Sequence, residues 1–289
     1  MLLLTGVSKL ATLQRALTRS FPESLQVCGA VYNMIHKNPF RLQVLVDRWP
    51  DFTSVVCRPP LEEMMEPLDS YNDVYFMFSK HSQSLSQMLQ DPRIINWNKA
   101  LNIEVCQPAL WDMLHTIGSK HGKQMQTLRF LLYMRDGMDS EELEQISNVS
   151  TGDLMYTSLS LQDAALVNDK WKYGKNERSL KYVKRCIENC PTVCVRKKGL
   201  EQPIAWSVTN SSAEIGLGYT DPAYRNLGIA RTMILKLGAA NYKRGAPIYA
   251  AASADNKSSQ AMMKHAKYKL SGEILVITSF QHKSVSDNY

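Results

Sequence analysis

The chain has 289 residues, 44% of them apolar and 21% charged, and a formal net charge of +7. That is enough chain for a sizeable core, and by length two domains are expected. No apolar run approaches the ~18–20 residues of a membrane span, and the opening Met1-Leu2-Leu3-Leu4 is too short for a secretory signal, so no integral membrane contact is expected.

Charge is unevenly spread. Residues 1–152 carry 14 Lys and Arg against 16 Asp and Glu, whereas residues 153–289 carry 20 against 11. The C-terminal half is therefore expected to handle an anion: nucleic acid, a membrane surface or a phosphorylated cofactor. Six cysteines without a secretory signal read as buried thiols rather than a disulfide framework. Cys186, Cys190 and Cys194 are evenly spaced, but Pro191 puts the first two at a helix end and the third in a strand, with no histidine nearby. No metal is expected.

In chain order, residues 1–22 hold Lys9, Arg15 and Arg19 with no acid before Glu23. This suits a mitochondrial targeting segment. Leu10, Leu13 and Leu17 also share one helical face, which suits the first helix of the fold. The two readings coexist if the segment is retained, and a mitochondrial location is expected, with a cytoplasmic one as the alternative. Strands are expected at Val27–Ile35, Thr53–Cys57, Val74–Phe78 and Leu128–Met134, mixed with helices. His36, His81, His115 and His121 are scattered and form no constellation. Asp136 to Asp153 has six acids and no base, and reads as a linker between domains 1–150 and 151–289. Asn148-Val149-Ser150 and Asn210-Ser211-Ser212 match the glycosylation pattern, which means little outside the secretory route.

Beyond it, Asp163 is expected to cap a helix through Trp171, and Asn176 a helix with Leu180, Val183 and Ile187 inward. Val193–Arg196, Ile204–Val208 and Glu214–Thr220 read as an antiparallel meander. A helix from Ile229 to Tyr242, a strand at Ile248–Ala252, a helix from Asn256 to Ala266 and a strand at Ile274–Thr278 complete a mixed α/β layer structure. Between the third strand of the meander and the next helix lies Arg225-Asn226-Leu227-Gly228-Ile229-Ala230. A helix start offers unpaired N–H groups and a positive dipole end, glycine lets an anion approach, and Arg225 adds a charge suited to phosphate. The turn can hold a pyrophosphate, or it can be a plain tight turn.

Strand, Arg-x-x-Gly-x-Ala turn, helix, strand and Asn-led helix together resemble the Gcn5-related N-acetyltransferase superfamily, in which this turn cradles the pyrophosphate of acyl-coenzyme A. "PESLQVCGAVYNMIHKNPF", "VLVDRWPDF", "LDSYNDVY", "INWNKAL" and "LVNDKWKYGKNERSLKYVKRCIENCP" further resemble the glycine N-acyltransferase family over nearly the whole chain. The resemblance implies two tandem acetyltransferase-like domains, the first degenerate. It also implies transfer of an acyl group from acyl-CoA to the amine of glycine or another amino acid such as glutamine. Acyl-CoA would be a co-substrate, with no permanently bound cofactor. By the same resemblance the strand end at Leu217, Tyr219 and Thr220 would face the thioester, and Arg225, Asn226, Gly228, Ile229 and Ala230 the pyrophosphate. Asn256 would reach the pantetheine arm or simply cap its helix.

For the base, the resemblance points to Glu214, eleven residues before Arg225, where the superfamily's histone acetyltransferases carry a glutamate; a solvent-facing strand carboxylate is the alternative. The glutamate that the family's glycine-conjugating members place two residues before the turn arginine is Ala223 here, and Asp221 is the nearest acid. The superfamily's proton-donating tyrosine is Met263, and its Gly-Phe is Lys267-Tyr268. Asn176 and Arg178 shape an acceptor pocket or start a helix. Three readings stay open: an N-acyltransferase, a non-catalytic acyl-CoA-binding protein, and a nucleic-acid binder using Lys181, Lys184, Arg185 and Arg196–Lys198. A basic face for the cofactor's phosphates explains the charge without nucleic acid. A monomer is expected.

Overall fold

The first strands and helices alternate irregularly: β1 (Leu2–Leu4), α1 (Val7–Leu17), α2 (Leu25–Ile35), β2 (Gln43–Val46), β3 (Ser54–Arg58), β4 (Val74–Ser79), α3 (Ser82–Met88), β5 (Leu101–Val105), α4 (Pro108–Lys120) and β6 (Lys123–Arg135). There follow α5 (Ser140–Ser147), β7 (Leu154–Thr157), α6 (Ala164–Lys170), α7 (Glu177–Asn189), β8 (Thr192–Lys197), β9 (Ala205–Thr209), β10 (Ile215–Thr220), α8 (Ile229–Lys243), β11 (Ile248–Ala252), α9 (Lys257–His265) and β12 (Lys269–His282). This computed structural model describes residues 1–64, 68–147 and 152–282. Asn148-Val149-Ser150 lies outside the described residues. The chain divides into Met1–Leu131 with the segment from Gly272, and Leu132–Ser271. The division falls at 131/132, not near 150, and the last strand returns to the first unit.

In the first unit β1, β2, β3 and β4 pair antiparallel in order, β4 pairs parallel with β5, and β5 pairs antiparallel with β12. α1 buries Leu10, Leu13 and Leu17, as its spacing predicts. The expected strand at Val27–Ile35 is instead helix α2. Leu25 through Asn33 are all buried, so no polar face breaks the apolar run, and periodicity cannot separate a fully buried helix from a strand. The parallel pair β4–β5 is closed along its length, from Val74 opposite Asn102 to Met77 opposite Val105. Beyond it the Gln107 carboxamide takes the Ser79 N–H at 3.0 Å and donates to the Ser79 carbonyl at 2.8 Å.

The second unit holds the expected meander, with β7 added at its edge in the order β10-β9-β8-β7, all antiparallel. α8 packs on β8, β9 and β10, and α7 turns Tyr182, Val183, Cys186 and Ile187 inward, leaving Leu180 half-buried. Asn176 caps α7: its Oδ1 accepts the Ser179 N–H at 2.9 Å while the Ser179 hydroxyl accepts the Asn176 N–H. Asp163 does not cap α6 with its side chain. It closes the preceding turn against Ser160 and accepts the Arg196 Nη2 on both carboxylate oxygens, at 2.8 and 2.7 Å, so Arg196 is neutralised and not part of a free basic face. The six thiols are free and buried, and Cys190 and Cys194 hydrogen-bond to different carbonyls, those of Asn210 and Ser158. Among the described residues no cluster of His, Cys, Asp and Glu has metal-binding geometry.

The acidic stretch after Asp136 is no bare linker. Within it α5 docks on α8, with Met138 and Ile146 buried against Ala239. Glu142 accepts both arms of Arg135, at 3.1 and 2.6 Å, and Arg135 also donates to the Ala266 carbonyl. The side chains are 6% and 12% exposed for Arg135 and Glu142. The Arg135 hydrogen bonds hold the Glu142 carboxyl below its ordinary range. The composition hid this helix because its acids read as solvated charge, while one of them is half of a buried pair. A depressed carboxyl stabilises the fold above its unfolded pKa and loses that contribution as pH falls through the folded value. Glu142→Gln leaves a buried guanidinium uncompensated and is expected to cost about 3 kcal/mol at pH 7, with the deficit shrinking on acidification. Denaturant unfolding checks this, with Asp91→Asn at the exposed Arg93 pair as a control that leaves the midpoint unchanged.

Candidate active site

The C-terminal end of β10 departs from regular pairing. Ile215 opposes Thr209 and Gly216 opposes Val208, yet the next pair is Tyr219 with Trp206, so β10 carries one residue more than β9. This is a β-bulge, which leaves the extra residue off the ladder and bends the strand. Leu217 lies in it at φ +47, a conformation that a leucine adopts only when its surroundings impose it. The Ser207 hydroxyl holds the bulge by donating to the Gly216 carbonyl at 3.0 Å. Beyond the bulge Tyr219 stacks on the buried Trp206 at 4.7 Å. β10 is the end strand of its sheet, and β11 beside it belongs to another. Among the described residues, the edge of β10 that faces β11 therefore has no ladder partner.

The base of the opening is built around Glu214, in the hairpin between β9 and β10. Asn210 clamps it: the Asn210 Oδ1 accepts the Glu214 N–H at 3.0 Å, and its Nδ2 donates to the carboxylate at 3.2 Å. The Ala251 N–H, from β11, is a second donor to the carboxylate. Three elements fix this hairpin from outside. Tyr182 of α7 bonds the Ser211 hydroxyl at 3.0 Å, Tyr249 of β11 donates to the Ser212 carbonyl at 2.7 Å, and Asn241 of α8 donates to the Ala213 carbonyl at 3.2 Å. Ala213 is held at φ +61. Glu214 keeps partial solvent access but is enclosed by protein, and that desolvation pushes its carboxyl up to about 7 against the two donors.

At the other end of β10 the chain turns. Asp221 accepts the Ala223 N–H at 2.9 Å and so caps a short 3-10 turn, Pro222–Tyr224. Arg225 is exposed and anchors its Nε on the Thr220 carbonyl at 3.1 Å. Asn226 and Gly228 have φ of +64 and +76, and Gly228 is the N-cap of α8. No side chain caps α8, and its first backbone bond is from the Thr232 N–H to Gly228. Among the described residues, the backbone N–H groups from Asn226 to Arg231 therefore have no backbone acceptor, and a Cβ built on Gly228 would meet nothing within 4 Å. A row of orphan donors, a dipole end, an open approach and a neighbouring guanidinium are the chemistry that can hold an anion.

The remaining residues expected from the sequence lie close by in the chain but play smaller parts. Asn256 caps α9 by accepting the Ser259 N–H. Met263 is buried and has no proton to give. Lys267 takes φ +61, and Tyr268 is buried with its hydroxyl on the Ile234 carbonyl. Arg178 stands in the first turn of α7. The bulge, Ser207 and the Asn210 clamp are not apparent from residue spacing. Asn210 alone carries a signal, as an Asx residue four before the glutamate.

Comparison with known proteins completes the picture. The family profile "Aralkyl acyl-CoA:amino acid N-acyltransferase" matches residues 1–191, and its C-terminal-region profile matches residues 196–277. Human glycine N-acyltransferase-like protein 1 is 35% identical, over 90% of this chain and 91% of its own. Mouse glycine N-acyltransferase is 36% identical, again over 90% and 91%. A Drosophila protein solved by X-ray crystallography shares the fold, with a TM-score of 0.77 at 16% identity over 98% of this chain and 99% of its own. The chain belongs to the aralkyl acyl-CoA:amino acid N-acyltransferase family and is an acyl-CoA-dependent amino-acid N-acyltransferase.

Proposed function

We propose that acyl-CoA lies along the open edge of β10, with its pyrophosphate on the N–H groups from Asn226 to Arg231 and beside Arg225, and that Glu214 is the general base. The observation that carries this reading is a carboxylate clamped by Asn210 and Ala251, tuned to about 7, in the hairpin that opens the strand leading to the turn at Arg225. A base with its pKa near the working pH gives the best compromise between being ionised and accepting a proton.

The reaction then runs as follows. The acceptor reaches the site as an ammonium and gives one proton to Glu214 through a water. The free amine attacks the thioester carbon, and the oxyanion that forms is stabilised by a backbone N–H that the bulge frees at Leu217–Tyr219. Collapse breaks the C–S bond, coenzyme A leaves as its thiolate, and the amide nitrogen loses its remaining extra proton. The thiolate is a good leaving group and is protonated by solvent, which makes Met263 compatible with turnover. Asp221 is occupied as a turn cap, so Glu214 is the favoured acid. For the acceptor we propose glycine, the amino acid in the relatives' names, or another amino acid such as glutamine.

We also propose a mitochondrial location with the basic N-terminal segment retained. Its apolar face, Leu10, Leu13 and Leu17, is core of the first unit, so cleavage would open that core. Recovery of a shortened or cytosolic protein on cell fractionation would contradict this.

Two variants test the site. Gly228→Asp puts a carboxylate where the pyrophosphate binds and is expected to abolish coenzyme A binding in calorimetry while the circular dichroism stays that of the parent. Unchanged affinity would remove the anion site from α8. Glu214→Gln keeps the shape and removes the base, so turnover at pH 7 should fall by about 10²–10⁴-fold. In the parent, kcat/KM should climb with pH through about 7 as Glu214 ionises, and this limb should vanish in the variant. The raised pKa also means that the folded state favours the protonated acid, so stability is lost as pH rises through the folded value. The variant should accordingly gain stability relative to the parent above pH 7. An unaltered pH–rate profile in Glu214→Gln would move the base elsewhere.

A further inference from the structure

The bulge of β10 rests on one residue of β9. Val208 opposes Gly216 and Trp206 opposes Tyr219, so Ser207 faces both Leu217 and Gly218. The Ser207 hydroxyl donates to the Gly216 carbonyl at 3.0 Å, and a Cβ built on Gly218 would lie 3.9 Å from the same hydroxyl oxygen. Ser207 is itself fixed. It is 8% exposed, and on its other side β9 pairs with β8 without a break, from Thr192 opposite Val208 to Val195 opposite Ala205. A serine has one χ angle to its hydroxyl and one hydroxyl proton, so a bond from this strand leaves little play. Past the bulge, Tyr219 is pinned by its stack on Trp206. Leu217 is thus held between two anchors at φ +47, a conformation that a leucine leaves for the extended region once it is released.

The Gly216 carbonyl and the Leu217 N–H belong to one peptide unit. That unit is planar and trans, so the two groups point to opposite sides of the strand. The carbonyl is taken by Ser207, on the β9 side. The Leu217 N–H is therefore turned to the other side, toward the edge that faces β11 and has no ladder partner among the described residues. Along that edge a thioester oxygen gains negative charge as the amine attacks. A donor already aimed at that point stabilises the transition state more than the ground state, and it costs no reorganisation during the reaction. Without the Ser207 bond the peptide unit is free to rotate with Leu217 as it relaxes, and the N–H loses its aim.

We propose that Ser207 is a positioning residue for the reaction: by holding the Gly216–Leu217 peptide, it aims the Leu217 N–H at the thioester oxygen. This rests on the reaction proposed above and names the oxyanion donor and the group that orients it. The test uses the full chain with phenylacetyl-CoA and glycine, and amide-resolved NMR of the same proteins. Ser207→Ala should move the Leu217 amide resonance and lower kcat about tenfold, the effect of leaving an acceptor without its donor. The KM for phenylacetyl-CoA should stay the same, because the donor acts on charge that develops only in the transition state. The factor should be equal at every pH, since no titrating group is removed. Ser207→Thr keeps the hydroxyl and should restore both readouts. Glycine adopts φ +47 unaided, so in a Leu217→Gly background the Ser207→Ala step should lower kcat only about twofold. An unmoved Leu217 amide in Ser207→Ala would overturn the assignment. So would an equal loss in the Leu217→Gly background, or a loss that Ser207→Thr does not repair. A Leu217 amide that moves while kcat does not would instead remove the bulge from oxyanion stabilisation, and the Ser207 role with it.

Discussion

The site depends on one constraint: β10 is paired along one edge only. On the β9 side the ladder is regular up to Gly216, absorbs one extra residue, and resumes at Tyr219. On the other side the strand has no ladder partner among the described residues. An unpaired strand edge is normally a hazard that proteins cover or blunt. Here it is kept, with glycines at 216 and 218 that leave the backbone approachable. The hairpin at its start is braced by Tyr182, Tyr249 and Asn241, so the bracing that makes the opening possible also fixes the Glu214 carboxylate. A side chain that must be half-desolvated to be a good base has to be held there by others, and Asn210 does so from within the same hairpin.

The first unit makes the opposite choice with similar parts. It also runs strand, short turn, helix and strand, through β4, α3 and β5. Its two strands are zipped together in parallel, however, and the Gln107 carboxamide satisfies both backbone groups of Ser79 where they would otherwise diverge. The Ser79 hydroxyl then takes up the turn by donating to the His81 carbonyl. No strand edge is left open at that point for an extended ligand to pair with. That difference in pairing is why one unit presents a candidate site and the other a packed sheet.

The sequence was informative where local chemistry decides the outcome and misleading where burial does. The turn from Arg225 to Ala230 was legible because an uncapped helix start next to a glycine is a local feature. The caps at Asn176 and Asn256 were legible for the same reason. Helix α2 was misread as a strand because complete burial erases the period that tells the two apart. Helix α5 was misread as a linker because charge counts cannot show that Glu142 faces a buried arginine more than a hundred residues before that arginine's other acceptor, Ala266. The bulge was invisible for a deeper reason. Register is a property of two strands together, and a single extra residue in one of them leaves no mark on the composition of either.

The central claim is that the orphan N–H groups at the start of α8 are the phosphate cradle of the co-substrate. Amide-resolved NMR of the isotopically labelled protein during titration with coenzyme A reads those groups one by one. The account predicts that the amide protons from Asn226 to Arg231 move downfield and become protected from exchange. It also predicts that those from Ser79 to Ser84 in the first unit stay where they were. Saturable shifts confined to other segments, with residues 226–231 unmoved, would contradict it.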